Sequence, residues 1–139
     1  MIFVDTWAWI ALADHNDQFH AAARTQHQEN LKQRQRYVTS DFVLTEFINY
    51  LYSAAPAAQA QAVVDSTFAK VDGGLIELVH VSAAQFRRAW ALRRKYGDKP
   101  DISFIDFTSM VVMQDLGITH VFTGDAHFQQ VGLGFQLVP

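Results

Sequence analysis

The sequence predicts an α/β protein in which helices pack against a mainly parallel sheet of four or five strands. Short runs of β-branched, aromatic and other apolar residues recur along the chain, and longer stretches of helix-forming residues separate them. Glycine, proline and N-capping residues stand between these segments. The 139 residues, of which 50% are hydrophobic and 18% charged, predict one domain over residues 1–139 with a sizeable core.

The N-terminal half is predicted to contain two strands and four helices. Ser40 and Asp41 are good N-cap residues for the third helix, and Pro56 suits the first turn of the fourth. In order, the predicted elements are a strand at Ile2–Asp5, helices at Trp7–Ala13 and Gln18–Arg36, a strand at Tyr37–Thr39, and helices from Asp41 to about Ala54 and from Pro56 to about Lys70.

The C-terminal half continues the alternation after a turn at Gly73 and Gly74. Ser82 and Ser103 are predicted to cap helices, and Gly97 and Gly117 to end them. In order, the predicted elements are a strand at Leu75–Val81, helices at Ser82–Lys95 and Ser103–Leu116, a strand at Thr119–Thr123, a loop or short turn at Gly124–Gln130, and a last strand at Gly134–Val138.

Composition narrows the class of protein. The chain has no cysteine, which excludes disulfides, thiolate zinc sites and a cysteine nucleophile. Residues 1–13 contain no lysine or arginine and are interrupted by Asp5, so no signal peptide is predicted. No stretch approaches the roughly 18 apolar residues of a membrane span. We therefore expect a cytoplasmic protein without membrane contact, and its net charge of −3 means that any nucleic-acid binding depends on a local basic surface.

Two carboxylates follow predicted strands. Asp5 ends the first strand, and Asp125 follows the strand at Thr119–Thr123. Because ligands bind outside the carboxyl ends of parallel strands, we expect both side chains at one edge of the sheet. For Asp125, a simple turn role after glycine stays open.

Two further carboxylates lie on predicted helices. Glu46 shares a helix face with Val43 and Tyr50, where a charge is costly unless it is paired, although its side chain could also reach water from the edge of that face. Asp106 has the spacing of a capping box with Ser103, a role that is compatible with a site because the first helical turn also faces the sheet edge. Asp101 lies just upstream as an auxiliary acid.

Four carboxylates in one crevice would repel one another and raise one another's pKa values. A hard divalent cation such as Mg²⁺ or Mn²⁺ removes this conflict, since it prefers oxygen ligands and binds through a few carboxylates plus substrate phosphate. A metal site of this kind can generate a hydroxide nucleophile and stabilise an in-line phosphoryl displacement.

The four acids also carry a resemblance to a known family over the whole chain. The segments that match are Asp5-Thr6 after the first strand, Glu46 on the helix after the second, the D-x-S-x-x-D pattern of Asp101–Asp106, and the T-x-D-x-H-F pattern of Thr123–Phe128. With these segments the chain resembles PIN-domain ribonucleases, and among them the VapC toxins of VapBC toxin–antitoxin pairs.

This resemblance implies a three-layer α/β/α sandwich and a hydrolase that cleaves RNA internally with Mg²⁺ or Mn²⁺. It implies a VapB-like antitoxin that covers the cleft, and a homodimer. One departure is Gly124, which we expect to give the last loop a freer backbone. By the resemblance, the catalytic and metal-binding residues are Asp5, Glu46, Asp106 and Asp125, and the accessory residues are Thr6, Asp101, Ser103 and Thr123.

Several other polar residues keep two interpretations. His127 can be solvated or make an indirect contact with the carboxylate site, while the remaining histidines show no zinc-binding pattern. The basic residues of 87–95 and 32–36 can form solvated faces or contact RNA phosphates. Trp9 and Phe19 can belong to the core or line an apolar groove for the antitoxin.

Other functions fit the same residues less well. A receiver domain requires a lysine after a late strand, and this chain has none there. A D-x-D phosphatase requires an acid at position 7, which is Trp7, so both functions are excluded. A DNA-directed, structure-specific nuclease would need more helical elements than this length allows. The alternative from another class is a catalytically inactive PIN-like module that binds RNA or protein, which has no reason to tolerate four mutually repelling acids.

Overall fold

The computed structural model describes residues 1–138, so that only Pro139 of the predicted domain lies outside the described residues. Its centre is a five-stranded, entirely parallel sheet in the order β3-β2-β1-β4-β5, which confirms the predicted α/β class. The strands are β1 at Ile2–Val4, β2 at Tyr37–Ser40, β3 at Ile76–Val79, β4 at His120–Phe122 and β5 at Gln136–Val138.

Seven helices connect and flank these strands in the described part of the chain. The three serines predicted at helix starts act as caps: Ser40 accepts a hydrogen bond from the Val43 amide, and Ser82 and Ser103 each form a capping box. The helices are α1 at Thr6–Ala13, α2 at His20–Lys32, α3 at Asp41–Ala54, α4 at Ala57–Asp72, α5 at Ala83–Lys95, α6 at Phe104–Leu116 and α7 at His127–Gln130.

Helix α2 and strand β3 are shortened most relative to the prediction, while β1, β4 and β5 are each shorter by one or two residues. Helix α2 starts late because the Asp17 carboxylate accepts the Phe19 amide in a turn, and it ends before Arg34, which adopts a left-handed φ of 55°. Strand β3 stops at Val79 because the Val81 amide donates to the Asp41 carboxylate at 2.9 Å and not to a neighbouring strand.

The core lies on both faces of the sheet. Phe3, Phe47 and Phe122 are almost completely buried, and α6 is buried continuously over residues 106–113. A helix buried over eight consecutive residues must be covered on more than the side that faces the sheet. Helix α5 provides this cover and packs against α6 through the fully buried Ala89. Within residues 1–138, no helix is both long and apolar enough to cross a membrane.

Part of the basic surface of α5 has a structural role. Arg88 pairs with Asp115 of α6 at 2.6 Å. The Arg93 guanidinium donates to the carbonyl groups of Ile102, Tyr96 and Lys99, which closes the loop before α6. These two arginines therefore stabilise the α5–α6 pair, whereas Arg87, Arg94 and Lys95 are exposed.

The strand order creates a switch point between β1 and β4. The chain proceeds from β1 outward to β2 and β3, and then returns to the other side of β1 to form β4 and β5. The register places Val4 opposite Phe122, so β1 and β4 end side by side. Crevices of this kind, outside the carboxyl ends of diverging strands, are where open α/β sheets bind ligands.

Candidate active site

Asp5 and Thr123 meet at the switch point. Each is the first residue after its strand, and the Asp5 amide donates to the Phe122 carbonyl at 3.2 Å, which extends the pairing of the two strands by one bond. The Thr123 hydroxyl donates to Asp5 Oδ2 at 2.9 Å, and both side chains are buried. The structure thus brings the first predicted acid together with a predicted accessory residue.

Asp106 reaches the same region from the first turn of α6. Its Oδ2 accepts the Ser103 amide at 3.1 Å, and its own amide donates to Ser103 Oγ at 3.1 Å, which completes the predicted capping box. The same Oδ2 lies 3.0 Å from Nδ1 of His127. Capping and participation in the site therefore coexist at this buried carboxylate.

Asp125 is placed by the loop between β4 and α7. Its amide donates to Thr123 Oγ1 at 3.1 Å, and its Oδ1 accepts the His127 amide at 3.0 Å. Its Oδ2 lies 3.0 Å from His127 Nδ1. Ligand atoms of Asp106, Asp125 and His127 all lie within 4.8 Å of one another, which is close enough to hold one metal ion.

The electrostatics of the cluster disfavour ionised acids that lack a counterion. Burial raises the pKa of Asp5 to about 7, repulsion from Asp106 adds to this, and the hydrogen bond from Thr123 opposes it. Burial also raises the pKa of Asp106, against the hydrogen bonds from His127 and the Ser103 amide. A cation among these carboxylates would lower both pKa values, because it stabilises the ionised form of each acid.

The donor set fits a hard divalent cation. Carboxylate oxygens are the ligands that Mg²⁺ and Mn²⁺ prefer, and the chain contains no competing thiolate. In addition, the buried hydroxyl of Thr6, next to Asp5 in the chain, has no hydrogen-bond partner among the described residues. An orphaned buried hydroxyl beside a carboxylate is consistent with a polar ligand or water that belongs to an occupied site.

Glu46 and Asp101 are not brought into this cluster. Glu46 is exposed beside the apolar face of α3 formed by Val43, Phe47 and Leu51. This agrees with the alternative that its side chain reaches water from the edge of that face. Asp101 is also exposed, in the loop before α6. Neither side chain makes a hydrogen bond or ion pair within residues 1–138, so their roles stay predictions of the motif match.

The sequence did not predict the direct contact of His127 with the carboxylates, and the expectation of a freer backbone at Gly124 was wrong. The local signal for His127 is its position two residues after Asp125. The Asp125 carboxylate accepts the His127 amide and so closes a turn, and this turn directs the histidine ring back towards Asp125. Gly124 has no left-handed φ; a Cβ there would overlap the six-membered ring of Trp7. The glycine is therefore needed for close packing and not for a freer backbone.

A cavity lies elsewhere in the described structure. It measures about 960 Å³ and is lined chiefly by residues of α1, α2 and α4, among them Trp9, Leu31, Arg24 and Lys70. None of the four predicted acids lines it. The molecule thus has a carboxylate site at the sheet edge and a separate, largely apolar groove.

Comparisons with known proteins agree with this geometry. A family profile described as PIN domain matches residues 2–133. The chain is 31% identical over 135 residues to the 23S rRNA-specific endonuclease VapC20 in two strains of Mycobacterium tuberculosis, with 95% of each chain covered.

Solved structures show the same likeness in three dimensions. The crystal structure of Mycobacterium tuberculosis VapC20, described as a Sarcin-Ricin loop cleaving toxin, has a TM-score of 0.79 and 28% identity, with 95% of each chain covered. VapBC2 from Rickettsia felis has a TM-score of 0.71 and 16% identity, covering 99% of this chain and 97% of the other. FitAcB from Neisseria gonorrhoeae has a TM-score of 0.63 and 12% identity, covering 100% and 97%. At the last two identities the likeness concerns the fold.

Proposed function

The chain belongs to the PIN-domain family, and on that premise we propose that it is a VapC-like toxin, an endoribonuclease that hydrolyses RNA phosphodiester bonds. The observation that carries the proposal is the convergence of Asp5, Asp106 and Asp125, from three separate parts of the chain, at the sheet's switch point. The relative with 31% identity over nearly the whole chain is described as an rRNA endonuclease, which supports the same reaction class.

The site is proposed to bind Mg²⁺ or Mn²⁺ through Asp5, Asp106 and Asp125, with Glu46 as the fourth acid from the exposed face of α3. When bound, such an ion supplies a hydroxide nucleophile at neutral pH and neutralises charge on the phosphodiester. Thr123 holds Asp5, and Ser103 holds Asp106, each through one carboxylate oxygen. Thr6, buried next to Asp5, and the exposed Asp101 are proposed as accessory residues.

RNA is the proposed substrate, and ribosomal RNA is the first to test because VapC20 is described as specific for 23S rRNA. The acidic site repels phosphate when no cation is present, so substrate binding needs both the metal and basic side chains nearby. The exposed Arg87, Arg94 and Lys95 of α5 are candidates for that contact. A cytoplasmic location follows from this substrate.

A VapB-like antitoxin is proposed to cover the carboxylate cleft, as the resemblance implies, and to place one segment in the groove between α1, α2 and α4. The groove combines apolar residues such as Trp9 and Leu31 with the cations Arg24, Arg36 and Lys70, which suits a segment with apolar and acidic side chains. Leu31 is 57% exposed in the free chain. Co-purification with the candidate antitoxin is expected to fail for Leu31→Asp and to persist for Leu116→Asp, a matched change outside the groove.

A homodimer is the proposed oligomeric state. Phe86 and Trp90 lie one turn apart on α5 and are 45% and 52% exposed, so α5 presents an apolar patch that a second copy can cover. Light scattering of the purified chain is expected to give twice the monomer mass, and Trp90→Glu to give a monomer. A monomeric wild type would contradict this part of the proposal.

The decisive test is RNA cleavage by the purified chain, free of any partner. Total cellular RNA and intact ribosomes are incubated with Mg²⁺, with Mn²⁺ or with EDTA. The wild type is compared with Asp5→Asn and with Asp65→Asn, a matched charge change at an exposed residue of α4. Discrete products that require metal, persist in Asp65→Asn and vanish in Asp5→Asn are expected.

Two other outcomes are informative. Cleavage that persists in EDTA, or in Asp5→Asn, would show that these carboxylates are not the catalytic site. Absence of both cleavage and metal binding would overturn the enzyme and favour the alternative, an inactive PIN-like module that binds RNA or protein.

A further inference from the structure

We infer that His127 is a positioning residue, whose ring Nδ1–H holds the carboxylates of Asp106 and Asp125 in the arrangement that receives the metal ion. The inference rests on the proposed function and deepens it. Its basis is a single ring nitrogen that lies 3.0 Å from Oδ2 of Asp106 and 3.0 Å from Oδ2 of Asp125.

The two contacts indicate which ring nitrogen carries a proton in the metal-binding form of the site. Ionised carboxylates only accept hydrogen bonds, so when Asp106 and Asp125 are ionised to bind a metal, the ring nitrogen that lies 3.0 Å from each of them acts as a donor. His127 therefore presents Nδ1–H to the site and directs Nε2 away from these two contacts. The donor lies between two like charges and reduces their repulsion.

The two carboxylates depend on this donor in different ways. At Asp106, both described donors, the Ser103 amide and His127 Nδ1, reach Oδ2, so that Oδ1 is left without a hydrogen bond from residues 1–138. At Asp125, His127 contacts both oxygens, with its amide on Oδ1 and its ring on Oδ2. Without the ring, Asp106 loses one of two restraints, and Asp125 keeps only a backbone contact.

The contact also joins two elements that are distant in sequence. Between α6 and residues 123–131, the bond from His127 to Asp106 is the one side-chain hydrogen bond that the described structure contains. Because groups that orient metal ligands commonly change metal affinity or activity by about 10- to 100-fold, an effect of this size is expected here.

The test compares Mn²⁺ binding by titration calorimetry at one pH. His127→Ala removes the donor, whereas His127→Asn places an amide nitrogen on Cγ, where Nδ1 was, and keeps it. Mn²⁺ affinity is expected to fall about 10- to 100-fold in the alanine variant and to recover most of this loss in the asparagine variant. His120→Ala, a matched change at an exposed histidine of β4, is expected to bind like the wild type.

A second metal separates positioning from direct ligation. Nitrogen ligands favour Co²⁺ over Mn²⁺, so a His127 that ligates the ion would make His127→Ala lose more affinity for Co²⁺ than for Mn²⁺. The positioning role predicts equal losses. Unequal losses, unchanged Mn²⁺ affinity in the alanine variant, or an asparagine variant as weak as alanine would each overturn the inference.

Failure of the proposed function would look different. A wild type that binds Mn²⁺ without cleaving RNA overturns the ribonuclease proposal, while the binding comparison still decides the role of His127. A wild type that binds neither Mn²⁺ nor Co²⁺ overturns both.

Discussion

Asp5 is the residue at which burial and charge oppose each other most strongly. Its pKa is raised from 3.8 to about 7 by burial and by repulsion from Asp106. A carboxyl group with a raised pKa stabilises the fold while it is protonated, and this contribution is lost as the pH rises from about 4 to about 7. Above pH 7 the metal-free chain therefore bears the full cost of a buried, ionised Asp5.

Asp5→Asn removes that cost along with the proposed metal ligand. RNA cleavage is expected to vanish, while the free energy of unfolding relative to the wild type rises by on the order of 2–3 kcal/mol between pH 5 and pH 8. Urea unfolding of both proteins at the two pH values, without metal, measures this difference. A gap between variant and wild type that does not change with pH would show that Asp5 ionises normally.

Thr123→Val tests the hydroxyl that links Asp5 to the Asp125 loop. Valine keeps the shape but removes the one side-chain donor described for the buried Asp5 carboxylate, so a loss of about 1–3 kcal/mol in stability is expected. Activity should fall about 10- to 100-fold because Asp5 is no longer held. Thr67→Val, which removes a hydroxyl bonded within α4, serves as the control and should leave activity intact.

Asp106→Asn separates the capping role of this residue from its place in the site. Asparagine can still accept the Ser103 amide hydrogen bond, so the variant should remain folded, but it removes a metal ligand and cleavage should be abolished. Circular dichroism and the RNA assay measure the two roles separately. Loss of the fold in Asp106→Asn would assign the residue a structural role instead.

At the scale of elements, the loop between β4 and α7 depends on close packing against α1. Gly124→Ala would place a methyl group against the Trp7 ring and should cost about 1–3 kcal/mol of stability as well as activity. The matched control is Gly97→Ala, whose new methyl group would meet only an ordinary contact. Adding Trp7→Phe to Gly124→Ala should restore stability and activity, because phenylalanine lacks the overlapping ring. Failure of this double variant to recover would contradict the packing explanation.

Elements whose ends are set by neighbouring residues were predictable from sequence. The caps at Ser40, Ser82 and Ser103 depend on partners within three positions, and the structure confirms them. The end of β3 was not predictable, because it depends on Asp41, which lies 40 positions away and captures the Val81 amide. Likewise, the contact of His127 with Asp106 requires the packing of α7 against α6, which no local pattern encodes.

At the scale of the whole molecule, the alternation of strands and helices predicts only part of the sheet's topology. The pattern predicts parallel strands, but it does not state that β4 joins β1 on the side opposite β2, which is what brings Asp5 and Asp125 together. The family motifs supplied that information, since they named both residues as one site. The prediction that residues 1–139 form a single domain stays a prediction.

Metal binding should stabilise the whole fold, because the site joins β1, α6 and the segment after β4, which are separate in the unfolded chain. An ion at 100 times its Kd adds about 2.7 kcal/mol to the free energy of unfolding. Because Asp5, with a pKa of about 7, must lose its proton to bind, the rise in Tm with Mn²⁺ should be larger at pH 8 than at pH 6. Thermal unfolding with Mn²⁺ or EDTA measures this, and an equal rise in Asp5→Asn, or at both pH values, would show that the ion binds elsewhere.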